Sequence, residues 1–371
     1  MNDAHTLYAM PHSLYSGRAR SYLIKNRIPF RELSTGHESF KAEILPQAKI
    51  PTIPTLKTAD GLVIRDGTAI IEHFEQARGY PSHPPTPRQE VISSLFDMIG
   101  TDGLLRPAMH YRWNFPVENL AFLHHHFYHS QRDVPGRAEK TERMMDKMRF
   151  VAGLWGVSDE TRELVETLYR EFLAALNTHF STYAYLLGGK PSIGDFGLIA
   201  PLYAHLGRDP YPARLMQQEA VWVYRWVERM NRPDNDHPEC FEDASTYLAD
   251  DAVPESLIEA LRILSTDLLP ETRASAEALN LWLAEHEPAS GTPAERFLGE
   301  MEFSVRGQRF RSVAQPYRFF QLQRVQDFFD RLSPEEQASV KDLLKTAGLD
   351  ELLALRLSRR LAQRENLEVW L

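Results

Sequence analysis

Four prolines fall within nine residues at Gly79-Tyr80-Pro81-Ser82-His83-Pro84-Pro85-Thr86-Pro87. Each fixes its own φ and removes a backbone donor, so the stretch suits an extended, semi-rigid connector and excludes a helix or a central strand. In a chain of 371 residues, well above the roughly 100–200 usual for one domain, it marks a boundary. Short apolar runs alternate with helical patterns before it, and three- and four-residue spacing dominates after it. A second polar break with two prolines, Arg232-Pro233-Asp234-Asn235-Asp236-His237-Pro238, completes a division into three expected units: residues 1–80, 88–231 and 240–371.

The first unit reads as a strand at Thr6 to Ala9 and a helix from about Tyr15 to Asn26. Further strands are expected around Pro29 to Leu33, Ile53 to Leu56 and Leu62 to Ile64, and a closing helix from Thr68 to Ala77. That order gives a small sheet covered by helices. The second unit, lacking strand-like alternation, is expected to be an all-helical bundle. In the third, helical patterning runs from about Glu255 to Glu285 with an interruption at Pro270. Met301 to Val305 then alternates like a strand, and an Arg306-Gly307 turn would set Phe303 opposite Phe310 and Glu302 opposite Arg311. A helix carrying Phe319, Leu322, Val325, Phe329 and Leu332 follows. Ser333-Pro334-Glu335-Glu336 starts another with a capping box. Leu367 to Leu371 reads as a terminal strand that could join the hairpin.

Hydrophobic residues at 43% and charged residues at 25% are those of a folding, globular chain. A net charge of −9 argues against a general nucleic-acid or anionic-membrane binder, because phosphate-rich partners require clustered cations. The cluster Arg356, Arg359, Arg360 and Arg364 is read as a solvated helix face. A single cysteine, Cys240, forms no intrachain disulfide and suits a reducing cytoplasm. The N-terminus has no export signal and no apolar stretch is long enough to span a membrane, so a cytoplasmic protein is expected. His124-His125-His126 and His129 hold an i, i+4 pair but lack the glutamate of a zincin pattern, and no metal is expected.

Three short segments of the first unit carry chemistry. Ser13 opens the first helix in Tyr8-Ala9-Met10-Pro11-His12-Ser13-Leu14-Tyr15-Ser16-Gly17-Arg18. A thiol with a pKa near 8.5 is only ~3% thiolate at pH 7, and a hydroxyl donor beside a helix N-terminus stabilises its anion. Tyr15 and Tyr8 are rival donors, and a simple N-cap is the competing role for Ser13. Ile53-Pro54-Thr55-Leu56 sets a proline after an apolar residue, with Pro51 in Lys49-Ile50-Pro51 as its rival, and either alone reads as a turn. Asp66-Gly67-Thr68 sets an acid and backbone donors at the start of a helix.

These segments, in this order, resemble the glutathione transferase superfamily over about residues 5 to 230. The resemblance extends to Gly188-Gly189-Lys190-Pro191-Ser192-Ile193-Gly194-Asp195, where Ser192 and Asp195 match the family's buried helix cap. It implies an α/β thioredoxin-like N-terminal domain and an all-α C-terminal domain, to which this chain adds a small α+β extension. It further implies glutathione as co-substrate, a cis bond before Pro54 or Pro51, and contacts to glutathione from Lys49, Ile53, Asp66, Gly67 and Thr68. Gly67 departs from the family's hydroxyl residue. His12, His110, Tyr111 and Trp113 would border the pocket for a small electrophile, the last three near the end of the first bundle helix. The expected activity is transfer with the glutathione thiolate as nucleophile, in a possible homodimer. A scaffold that has lost catalysis and serves binding or assembly is the rival.

Overall fold

The computed structural model describes residues 4–102, 104–234, 238–239 and 245–371. Cys240 and the expected start of the third unit lie outside them. Strand β1 (His5–Tyr8), helix α1 (Leu14–Lys25) and strand β2 (Phe30–Leu33) form a βαβ unit with parallel strands. A π-helical turn at Phe40–Ile44 runs into α2 (Leu45–Ala48), a segment with no counterpart in the sequence reading. Strands β3 (Thr55–Lys57) and β4 (Val63–Arg65) add antiparallel to give the order β2-β1-β3-β4, and α3 (Gly67–Ala77) closes this thioredoxin-like domain.

Side chains alternate across such a sheet. The paired row Leu7, Leu56 and Ile64 belongs to the main core with Ala19 and Tyr22 of α1 and Ile70 of α3. Tyr8 and Val63, one residue along, pack instead with Phe40, Ile44 and Ala48. The sheet is thereby covered on both faces.

The bundle comprises α4 (Pro87–Asp102), α5 (Leu105–Trp113), α6 (Pro116–Ser130), α7 (Arg137–Gly153), α8 (Arg162–Phe180), α9 (Ile193–Ala204), α10 (Pro210–Glu219) and α11 (Val221–Met230). Helix α9 is its buried axis. Ser192 and Asp195 cap it reciprocally, and Asp195 Oδ1 also accepts from the Trp226 indole at 3.0 Å. Helices α4 and α9 touch backbone to backbone: a Cβ on Gly100 would stand 2.1 Å from the Gly197 carbonyl carbon, so neither position admits a side chain.

The extension holds α12 (Glu255–His286), the hairpin β5 (Glu300–Val305) and β6 (Gln308–Val313), α13 (Pro316–Asp330), α14 (Pro334–Thr346), and a second hairpin, β7 (Leu361–Arg364) and β8 (Leu367–Trp370). Phe303 pairs with Phe310 and Glu302 with Arg311 across β5–β6, and Ser333 and Glu336 form the capping box of α14. Three expectations are corrected. Helix α12 continues through Pro270; a proline costs a helix interior about 3 kcal/mol, and burial of Leu257, Leu261, Leu264, Leu268, Leu279 and Leu283 on this helix, at about 1.5–3 kcal/mol each, outweighs it. The terminal strand pairs with β7 and not with β5–β6, because Glu365 and Asn366, both at positive φ, make a tight local turn. The basic cluster is not a helix face. Arg356 is tied to Asp330, Arg360 to Asp327, and Arg359 donates to the Pro288 carbonyl.

The extension lies against both other units. Helix α12 packs on α8 and α13 packs on α4. The β7–β8 turn closes the open edge of β4: Asn366 accepts from the Arg65 N–H at 2.9 Å and donates to the Val63 carbonyl at 3.1 Å. A side-chain amide there takes the place of a further strand. Among the described residues, no helix is long and apolar enough to cross a membrane.

Candidate functional site

Ser13 holds the N-cap position of α1, with φ −84° and ψ 120°, and makes no side-chain cap bond. Its hydroxyl is therefore not spent on the helix. It borders a cavity of about 280 Å³ between the N-terminal domain and the bundle, which Tyr15, Pro51 and Ile53 share on the domain side. The cis bond is Ile53–Pro54. Across from them, Leu105, Met109, Arg112 and Trp113 line the cavity from α5, Met144, Met148 and Val151 from α7, and Arg296 from the extension.

Positions 105, 109, 112 and 113 follow the i, i+4, i+7, i+8 spacing of one helix face. His110 and Tyr111 lie on the other, which corrects their expected place beside the electrophile. His110 is 1% exposed and bonds Glu166 at 2.9 Å, and burial lowers its pKa against that carboxylate. Tyr111 is fully buried and stacks with Phe115. The whole segment also ends the second bundle helix, not the first. Leu104, at φ 44°, breaks the chain between α4 and α5.

His12 does line the cavity. Burial, and then Arg112 beside it, holds its pKa well below the usual histidine value, so it is a neutral ring. Burial raises the Tyr15 hydroxyl, and Arg296 opposes the shift. Tyr8 is set apart from this group: it belongs to the face of the sheet covered by α2, and its hydroxyl shares a 2.7 Å hydrogen bond with Ser39. Among the described residues, no three His, Cys, Asp or Glu side chains are grouped to hold a metal ion.

At the start of α3, Asp66 Oδ1 accepts from the Thr68 N–H at 2.8 Å. Its other oxygen accepts from the hydroxyl of Tyr317 on α13, also at 2.8 Å. The Thr68 hydroxyl accepts from Arg18 at 2.5 Å and from Gln321 at 2.9 Å. Gly67 and Thr68 are buried. Lys49 is paired with Glu365 of the β7–β8 turn, and Nη2 of Arg65 donates to both carboxylate oxygens of Glu368 at 2.7 Å.

Residues 7–83 match the glutathione S-transferase N-terminal domain family. These residues therefore carry a domain of the glutathione S-transferase N-terminal type. No curated protein matches it significantly. Among solved structures, a glutathione S-transferase from Xanthobacter autotrophicus Py2 is 19% identical, with 63% of this chain and 96% of that chain covered and a TM-score of 0.33. Beta-etherase LigF from Sphingobium sp. strain SYK-6 is 15% identical, covering 63% and 96%, with a TM-score of 0.42. A glutathione transferase family member from Pseudomonas fluorescens Pf-5, solved with two glutathione bound, is 12% identical, covering 61% and 87%, with a TM-score of 0.36.

The two ends of the expected ligand site differ. At the thiol end, Ser13 and Ile53 border the cavity. At the γ-glutamyl end, Asp66, Thr68 and Lys49 already bond to the extension. The residues responsible, Tyr317, Gln321 and Glu365, were not assigned to this site in the sequence reading. Nor was Arg18 given a role there; it is 2% exposed, donates to Thr68, and pairs with Asp97 of α4 at N–O distances of 2.5 and 2.7 Å. The i, i+4 spacing of Tyr317 and Gln321 puts them on one helix face; nothing local says which neighbour that face meets.

Proposed function

We propose that this chain is a serine-type, glutathione-dependent transferase. Ser13 donates a hydrogen bond to the cysteinyl thiolate at the N-terminus of α1, and Ile53 offers its backbone to the cysteinyl residue. The thiolate attacks a small electrophile held in the cavity, with Tyr15 at its border. The carrying observation is the Ser13 hydroxyl, free of a cap bond, on the wall of a largely apolar cavity beside the cis bond. The helix terminus and the hydroxyl donor favour the anion, against the desolvation of an apolar cavity, which disfavours it. On this reading the γ-glutamyl group displaces the Tyr317 hydroxyl from Asp66 and Gln321 from Thr68.

That displacement supports a second reading, a non-catalytic binding or assembly module whose own extension fills the γ-glutamyl position. Calorimetric titration with glutathione separates the two. Binding at millimolar ligand or below is expected, and its absence sinks the transferase. The thiol pKa of bound glutathione is expected to lie below its value in water and to return toward it in Ser13→Ala; an unchanged pKa in that variant moves the role to Tyr15.

A further inference from the structure

Among the described residues, the cavity beside Ser13 carries one charge that the fold leaves uncompensated. Arg112 also lines it, but Arg112 is neutralised by Asp209 at 2.6 and 2.9 Å and donates to the carbonyls of His12 and Ala204. The rings of His12 and His205 are buried beside Arg112, and both are held well below the usual histidine pKa. They are neutral at pH 7.

Arg296 differs. It is exposed, on the stretch between α12 and β5, and its guanidinium lies 5.2 Å from the ring centroid of Phe297. Among the described residues it has no carboxylate at ion-pair distance, whereas Arg306 is paired with Glu171, and Arg309 and Arg311 with Glu302. The two acids whose charges act on Tyr15 at this end of the cavity are committed elsewhere, Asp102 to Arg318 and Asp66 to Tyr317. The facing wall is Met109, Met144, Met148, Trp113 and Trp155, thioethers and indoles that adapt to flat aromatic surfaces. A volume of about 280 Å³ sits just below the range of drug-sized pockets and suits one or two rings.

We propose that this cavity selects a small aromatic molecule bearing a carboxylate, with Arg296 of the extension as the anion-selecting residue. A guanidinium meets a carboxylate with two parallel hydrogen bonds. The ligand's role as electrophile rests on the transferase reading; its binding does not.

The test measures binding without any thiol, by quenching of tryptophan fluorescence, for 2-naphthoate and the uncharged isostere 2-naphthamide. The full chain is expected to bind the carboxylate about tenfold more tightly, as befits a charge-assisted bond. Arg296→Gln is expected to erase the preference and leave the amide unchanged. Met148→Trp, narrowing the cavity, is expected to weaken both. Equal affinities in the unaltered protein, a preference surviving in Arg296→Gln, indifference to Met148→Trp, or no binding of either compound overturns the proposal. Failure to bind glutathione with the naphthoate preference intact overturns the transferase reading alone.

Discussion

Asp66 sits at φ 85° and ψ 140°, a region that side chains other than glycine rarely adopt. Two bonds hold it there: its carboxylate caps α3 through the Thr68 N–H and receives the Tyr317 hydroxyl. The backbone conformation and the side chain thus oppose each other in energy. Asp66→Ala loses both bonds and keeps the strain, at a cost of about 2–3 kcal/mol. Asp66→Gly loses the same bonds but relieves the strain, so it is expected to be the milder change by about 1 kcal/mol. Urea unfolding of the two variants checks the order; an equal or larger loss for glycine would mean that the strain contributes nothing. The sequence identified Asp66 as an acid before a helix. It could not give the φ value, which follows from the cap and from a helix 251 residues away.

At the scale of elements, α8 and α12 are joined by a buried histidine. His179 is fully buried, shares a 2.9 Å hydrogen bond with Ser256, and has its pKa lowered to about 4 by burial. A folded-state value below the unfolded value of about 6.5 means that the unfolded chain binds the proton more readily. The stability tied to the neutral ring is present above pH 6.5 and is lost as pH falls toward 4. The urea midpoint is expected to drop across that window, and His179→Gln is expected to flatten the drop; a midpoint with the same pH dependence in both proteins would place the acid sensitivity elsewhere. Elements of this kind were legible where the signal was local. The capping boxes at Ser192 and Ser333, the Phe303–Phe310 pairing and the β-strands of the first domain each depend on a few neighbouring residues. Pro270 and the partner of β8 were misread because burial against distant helices and a turn at Glu365-Asn366 decide them.

Across the whole molecule, the placement of Ser13 at the start of α1 beside Ile53 was legible because strand, loop and helix are consecutive in the chain, and the surroundings of Asp66 and Thr68 were not because α13 and the β7–β8 turn supply them. The resemblance implied glutathione contacts at Asp66 and Thr68, with Gly67 departing from the family's hydroxyl residue. In the structure Tyr317 bonds to Asp66, Gln321 to Thr68 and Glu365 to Lys49. The extension and the γ-glutamyl group would compete for one carboxylate oxygen. Tyr317→Ala removes the competing donor and its ring together, and a neutral hydrogen bond of about 1 kcal/mol corresponds to about a fivefold change in affinity. Glutathione is therefore expected to bind Tyr317→Ala about fivefold more tightly than the unaltered chain, by calorimetry at one pH and ionic strength. Exchange of the amides around Asp66 to Thr68 is expected to quicken in the same variant as the cover loosens. A weaker affinity would mean that the tyrosine itself belongs to the ligand site. Undetectable binding in both proteins would leave the apolar cavity at Ser13 as the working surface of the molecule and favour the binding module over the transferase.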